Sequence, residues 1–219
     1  MKANKKMILQ VLFYGGIWGL IEASFGFLLH LVPTAPTGSI LFPIAFLLMM
    51  SAYKKTNDKN VVILVPVVAA LIKLTNVILL LTLIPNYSQI MLVKTINPAV
   101  AILIEGLVIA FVINMTFAKA KKLNFFHILG TTYTWNSIFT FYVYSLATSG
   151  IIQTKRFVNG FSMIDEILIP GFFGAIIASV VIFIARKVIN NFELKTIKPS
   201  YALGSFAGAL LMNGLVFFI

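Results

Sequence analysis

Three charged residues stand alone inside apolar runs: Glu22, Lys73 and Glu105. A charge at the centre of a bilayer costs about 2.5–3.5 kcal/mol on insertion scales, so it rarely persists facing lipid. Such residues turn towards one another, towards a cavity, or towards a polar ligand. With one lysine against two glutamates, Lys73 can neutralise one acid. The other is then left to be protonated, hydrogen-bonded or bound to a cation. Asn76 lies three residues from Lys73 and so shares its helix face. Asn136, with its neighbour Trp135, falls at a comparable level on another segment. Measured from the cytoplasmic ends of their segments, Glu22, Lys73, Glu105 and Asn136 lie about 16–22 Å deep at a helical rise of 1.5 Å per residue. Four helices therefore bring polar groups to one level. The cluster is either a structural ion pair or a site for a ligand or proton. Intramembrane ionisable groups are functional by default, which favours the second reading. His30 adds a polar group at the outer end of the first segment. Asp165 and Glu166 open the sixth, where the helix dipole favours acids, with Lys155 and Arg156 just before them.

The elements that position these residues are apolar helices. The chain has 219 residues, of which 60% are hydrophobic and 11% charged, with a mean hydropathy of +1.00. A soluble domain carries about 25% charged residues. The composition predicts an all-α, polytopic transmembrane helix bundle of about six to seven spans. A single transmembrane domain occupies 1–219. The expected segments are 7–32, 38–53, 61–84, 97–118, 125–147, 163–185 and 200–218. The second is short for a crossing, so it is tilted or shielded by its neighbours. Residues 85–96 read as a surface loop or a partly re-entrant lid. The last segment either crosses or lies along the interface.

Net charge is +11. With the N-terminus inside, thirteen lysines and arginines fall in cytoplasmic loops or termini, and only Lys94, Lys155 and Arg156 fall outside. This asymmetry predicts a multi-pass protein of the cytoplasmic membrane with a cytoplasmic N-terminus. It also directs the basic charge to lipid head groups rather than to nucleic acid. The apolar run from Met7 to Val32 is too long for a signal-peptide core and reads as a retained first span.

Several chemistries are excluded by composition. Cysteine is absent, so there are no disulfides, thiolate metal sites or thiol nucleophiles. The two histidines, His30 and His127, lie near opposite membrane faces, and no metal site or cofactor is expected. There is no phosphate-binding loop, no H-E-x-x-H and no G-x-S-x-G. Tyr133, Trp135, Phe139, Phe141, Tyr142 and Tyr144 crowd the fifth segment. They sit at lipid interfaces or stack on a planar ligand.

Gly15, Gly19 and Ala23 follow at i, i+4 and i+8 on the first segment. One face of that helix is therefore nearly bare and admits close approach of another helix. The approaching helix belongs either to this chain or to a partner subunit. Gly204 and Gly208 repeat the spacing on the last segment. A small basic protein of this kind resembles the substrate-binding S-components of energy-coupling-factor vitamin transporters. Trp18-x-x-x-Glu22, Leu29-His30, Gly38-Ser39-Ile40-Leu41, Lys73 and Pro98 through Glu105 also resemble a group of bacterial membrane proteins related to them. The likeness spans roughly residues 10–115. It implies a membrane-embedded subunit that binds a small water-soluble nutrient, a vitamin or its precursor. It also implies a coupling transmembrane subunit docked on Gly15, Gly19 and Ala23, with separate ATPase subunits. The expected substrate-binding set is Glu22, His30, Lys73, Asn76, Glu105, Trp135 and Asn136. Two other functions fit the same residues. One is an intramembrane enzyme acting on a lipid or isoprenoid; the other is a solitary proton-coupled carrier.

Overall fold

The computed structural model describes residues 2–32, 37–118, 124–151, 162–189 and 197–219. Among the described residues all regular structure is helical. The helices are α1 (Lys2–His30), α2 (Thr37–Thr56), α3 (Lys59–Leu83), α4 (Gln89–Ala118), α5 (Phe125–Thr148), α6 (Ser162–Ile189) and α7 (Pro199–Phe217). Each expected segment corresponds to one helix. Four stretches, Lys5–Leu29, Lys59–Leu83, Gln89–Thr116 and Pro199–Phe217, are long and apolar enough to cross a membrane. The outward faces carry large apolar side chains, including Leu71, Ile78, Phe111, Phe173 and Leu211, all more than half exposed. Exposed apolar surface on this scale belongs against lipid, because in water it would drive association.

The core runs down α2. Phe42, Phe46, Met49 and Met50 are fully buried there, and α2 packs against α1, α3, α4 and α6. Shielding by neighbours thus accounts for this helix, as its brevity suggested. The link from α2 to α3 is tight. Asn57 adopts a left-handed backbone (φ 50°), which asparagine tolerates better than most residues. Asp58 then caps α3 by accepting from the Asn60 N–H at 2.8 Å.

The expected loop over 85–96 is corrected. Helix α4 begins at Gln89, and the true turn is Ile84–Ser88, with Asn86 left-handed (φ 63°). The Ser88 hydroxyl accepts from the Met91 N–H at 3.2 Å and starts the helix ahead of Pro98. Pro98 lies inside α4 rather than at its start.

Helix α7 is a member of the bundle. Its most extensive contact is with α1, and it also touches α3. A Cβ added to Gly16 would lie 2.6 Å from the Phe206 backbone nitrogen, so the two backbones nearly touch there. The Ser205 hydroxyl donates to the Phe13 carbonyl at 3.3 Å across the same contact. Small and hydroxyl residues are what lipid-embedded helices use to approach closely.

Candidate functional site

Helix α1 builds the first part of the site. Trp18 and Glu22 are four residues apart and therefore stacked on one face. The Trp18 indole N–H donates to Glu22 Oε1 at 3.3 Å, and Trp18 is buried. The far edge of the indole reaches α4: a Cβ on Gly106 would lie 3.3 Å from Trp18 Cη2. Trp18 thus bridges the carboxylate of Glu22 to the helix that carries Glu105. The second oxygen, Glu22 Oε2, stands over Gly26, 3.4 Å from where a Cβ would be. Leu41 of α2 closes the same spot at 3.6 Å.

Lys73 of α3 and Glu105 of α4 complete the cluster. Glu22 is the electrostatic partner of Lys73, and it also acts on Glu105 as a like charge. Of the two pairings open in the sequence, the electrostatics favour Lys73 with Glu22. Glu105 is 3% exposed, and its Oε1 has no hydrogen-bond partner among the described residues. A buried carboxylate oxygen without a donor carries a desolvation cost of about 1–3 kcal/mol or more. Position 105 adjoins a close approach of α3 and α4. A Cβ on Gly106 would stand 2.1 Å from the Pro66 Cβ.

Trp135 approaches from α5. Its ring lies on Gly38, where an added Cβ would be 2.3 Å from Cη2. Phe42 and Phe139 flank it, with ring centroids 5.9 Å and 6.1 Å away. Gly38 is one helical turn from Leu41, so the indole sits one turn along α2 from the Glu22 carboxylate. The Trp135 N–H and the Asn136 Nδ2 are both buried without a hydrogen-bond partner among the described residues. His30 ends α1, but its side chain lies outside the described residues, as do the side chains of Asp165 and Glu166. Lys155 and Arg156 also lie outside them. His127 is a capping residue: it forms a capping box with Asn124 at the start of α5. No group of three or more His, Asp or Glu converges among the described residues.

No family model, curated protein or solved structure matches this chain.

Packing gives two of the expected groups of residues partners within the chain. Asn76 is engaged by another side chain. Its Nδ2 donates to Asn213 Oδ1 at 3.3 Å, and Asn213 Nδ2 donates to Asn76 Oδ1 at 2.8 Å. Asn213 is fully buried and also donates to the Ile72 carbonyl at 2.7 Å. This amide pair clamps α7 to α3 one helical turn from Lys73. It was not visible in the sequence, although a lone asparagine in an apolar run is the signal that finds it. Asn213→Leu leaves the Asn76 amide unpaired. Interhelical side-chain bonds in membranes average about 0.6 kcal/mol and reach about 1.7. We expect a loss near the upper figure, read as a lower melting temperature in detergent, with Asn76→Leu/Asn213→Leu less destabilised than either single change.

The second group is Gly15, Gly19 and Ala23. A Cβ on Gly15 would lie 2.7 Å from Val68, and one on Gly19 would lie 2.7 Å from Ile72. Ala23 is fully buried. At Gly15 and Gly19 this face is filled by α3 of the same chain, so these glycines serve internal packing. Gly204 and Gly208 meet nothing within 4 Å and face outwards.

Proposed function

We propose that this chain is a membrane-embedded binding protein that carries a small, water-soluble nutrient through the cluster of Glu22, Lys73 and Glu105. The observation that supports this most is the unpartnered, buried oxygen of Glu105 beside an acid already engaged by Trp18 and Lys73. A purely structural cluster would favour matched charges, because an uncompensated charge in a membrane is costly. Trp18 and Trp135 would cover the apolar parts of the solute.

The vitamin-transporter reading adds separate coupling and ATPase subunits. The filling of the face at Gly15 and Gly19 by α3 favours a second form, a carrier that works without a partner docked there. Uptake into proteoliposomes separates them. Uptake only with added coupling and ATPase subunits supports the first form. Uptake by the lone protein under a pH gradient supports the second. Chemical conversion of the solute by the lone protein would replace both with an enzyme.

The orientation belongs to the same proposal: the N-terminus is cytoplasmic and the 148–162 segment external. Single cysteines at Asn57, Lys121 and Gln153 test it in this cysteine-free chain. In intact cells an impermeant thiol reagent should label only position 153. Labelling of 57 and 121 instead would reverse the orientation.

A further inference from the structure

The charge balance and the walls of the cluster specify the class of solute, on the reading above that the cluster holds one. We propose that the site takes a small organic cation bearing one positive charge, held by Glu105 with Glu22 and covered by tryptophan. One lysine, Lys73, stands against two glutamates, and of the two acids Glu105 has a buried oxygen with no hydrogen-bond partner among the described residues. A single positive charge brings the group to neutrality.

The polar atoms match that choice. Glu105 Oε1 is buried and accepts from nothing among the described residues, so it is available to an N–H donor or a charged centre. Glu22 Oε1 is already occupied by the Trp18 N–H. Glu22 Oε2 stands over Gly26, where the missing side chain leaves the oxygen uncovered by α1 itself.

The walls distinguish an organic cation from a metal ion. Hard cations need about six oxygen ligands. No group of three or more metal-ligating side chains is found among the described residues. Indole faces, by contrast, attract ammonium groups through the ring quadrupole, and tryptophan is the best of the aromatic residues at this. Trp18 spans from Glu22 to the helix of Glu105, and Trp135 lies one turn of α2 away. An anion would meet Lys73 but also two acids, so the cluster disfavours it.

The chain contains two tryptophans, Trp18 and Trp135, so intrinsic fluorescence reports directly on this region. The purified full-length protein in detergent would be titrated with methylammonium chloride, choline chloride and sodium acetate in a sodium chloride background of constant ionic strength. The expected result is a saturable change with at least one of the two ammonium salts and none with acetate. Glu105→Gln should weaken that response at least tenfold while the protein stays monodisperse. Lys73→Met should strengthen it, because removing the lysine leaves two acids for the cation; Lys73→Gln serves where the methionine variant does not fold. No response to either ammonium salt overturns the proposal, as does a response to sodium alone. An acetate response that is lost with Lys73→Met also overturns it. The functional reading fails separately. A neutral or anionic solute released from the protein sinks the cation and keeps the binding site. Solute release that neither Glu22→Gln nor Glu105→Gln alters sinks both.

Discussion

Glu105→Gln should make the protein more stable and less able to hold its solute. The carboxyl group is buried and has one oxygen without a hydrogen-bond partner among the described residues. The amide has nearly the same shape and carries no charge, so it costs less to bury. For a chain of this size, a gain of about 1 kcal/mol raises the melting temperature by roughly 2–4 °C. Solute retention should fall at least tenfold, about 1.4 kcal/mol. Opposite signs for stability and binding mark a residue kept for function at a structural cost. A structural ion-pair member behaves differently, since breaking such a pair lowers stability by several kcal/mol. Thermal unfolding in detergent, measured beside solute release, checks this. A lower melting temperature with retained solute would place Glu105 in the scaffold.

The largest purely structural effect is expected at Gly106. A Cβ there would stand 2.1 Å and 2.5 Å from two ring carbons of Pro66 and 3.3 Å from Trp18. The proline ring cannot swing aside, because it is fixed to the α3 backbone. Gly106→Ala must therefore push α3 and α4 apart. Overpacking of this kind costs about 1–3 kcal/mol. It also moves Glu105, the adjacent residue, so binding should fall together with stability. Gly204→Ala is the matched control, since its added Cβ meets nothing within 4 Å. Equal melting temperatures for the two variants would show that the α3–α4 contact is not as close as described.

How much of this was legible in the sequence depends on the range of each interaction. Glu22, Lys73 and Glu105 were conspicuous because charge in an apolar run is costly wherever the helices pack. The preference of Lys73 for Glu22 over Glu105 was not legible, because depth along a helix does not fix its rotation. Asn76 read as a ligand group because its partner is 137 residues away, on the last helix. Gly15 and Gly19 announced a close helix contact by their spacing, but spacing does not say whose helix arrives. Gly16 and Gly106 were missed, though Gly106 and Ala110 share the same four-residue spacing and offered the same signal. The start of α4 was misplaced because Pro98 drew attention from Ser88, a competent cap nine residues before the expected segment. Helix number and order were legible throughout, because long apolar runs between basic loops leave few alternatives.

The central claim is that a solute occupies the cluster of Glu22, Lys73 and Glu105. Mass spectrometry of small molecules released from the purified protein tests it most directly. Wild-type protein and the Glu105→Gln variant would be prepared side by side and denatured, and the released solutes compared. The account predicts one small polar molecule in near-stoichiometric amount from the wild type, reduced at least tenfold in the variant. Equal release from both proteins, or no solute from a well-folded wild type, would contradict it.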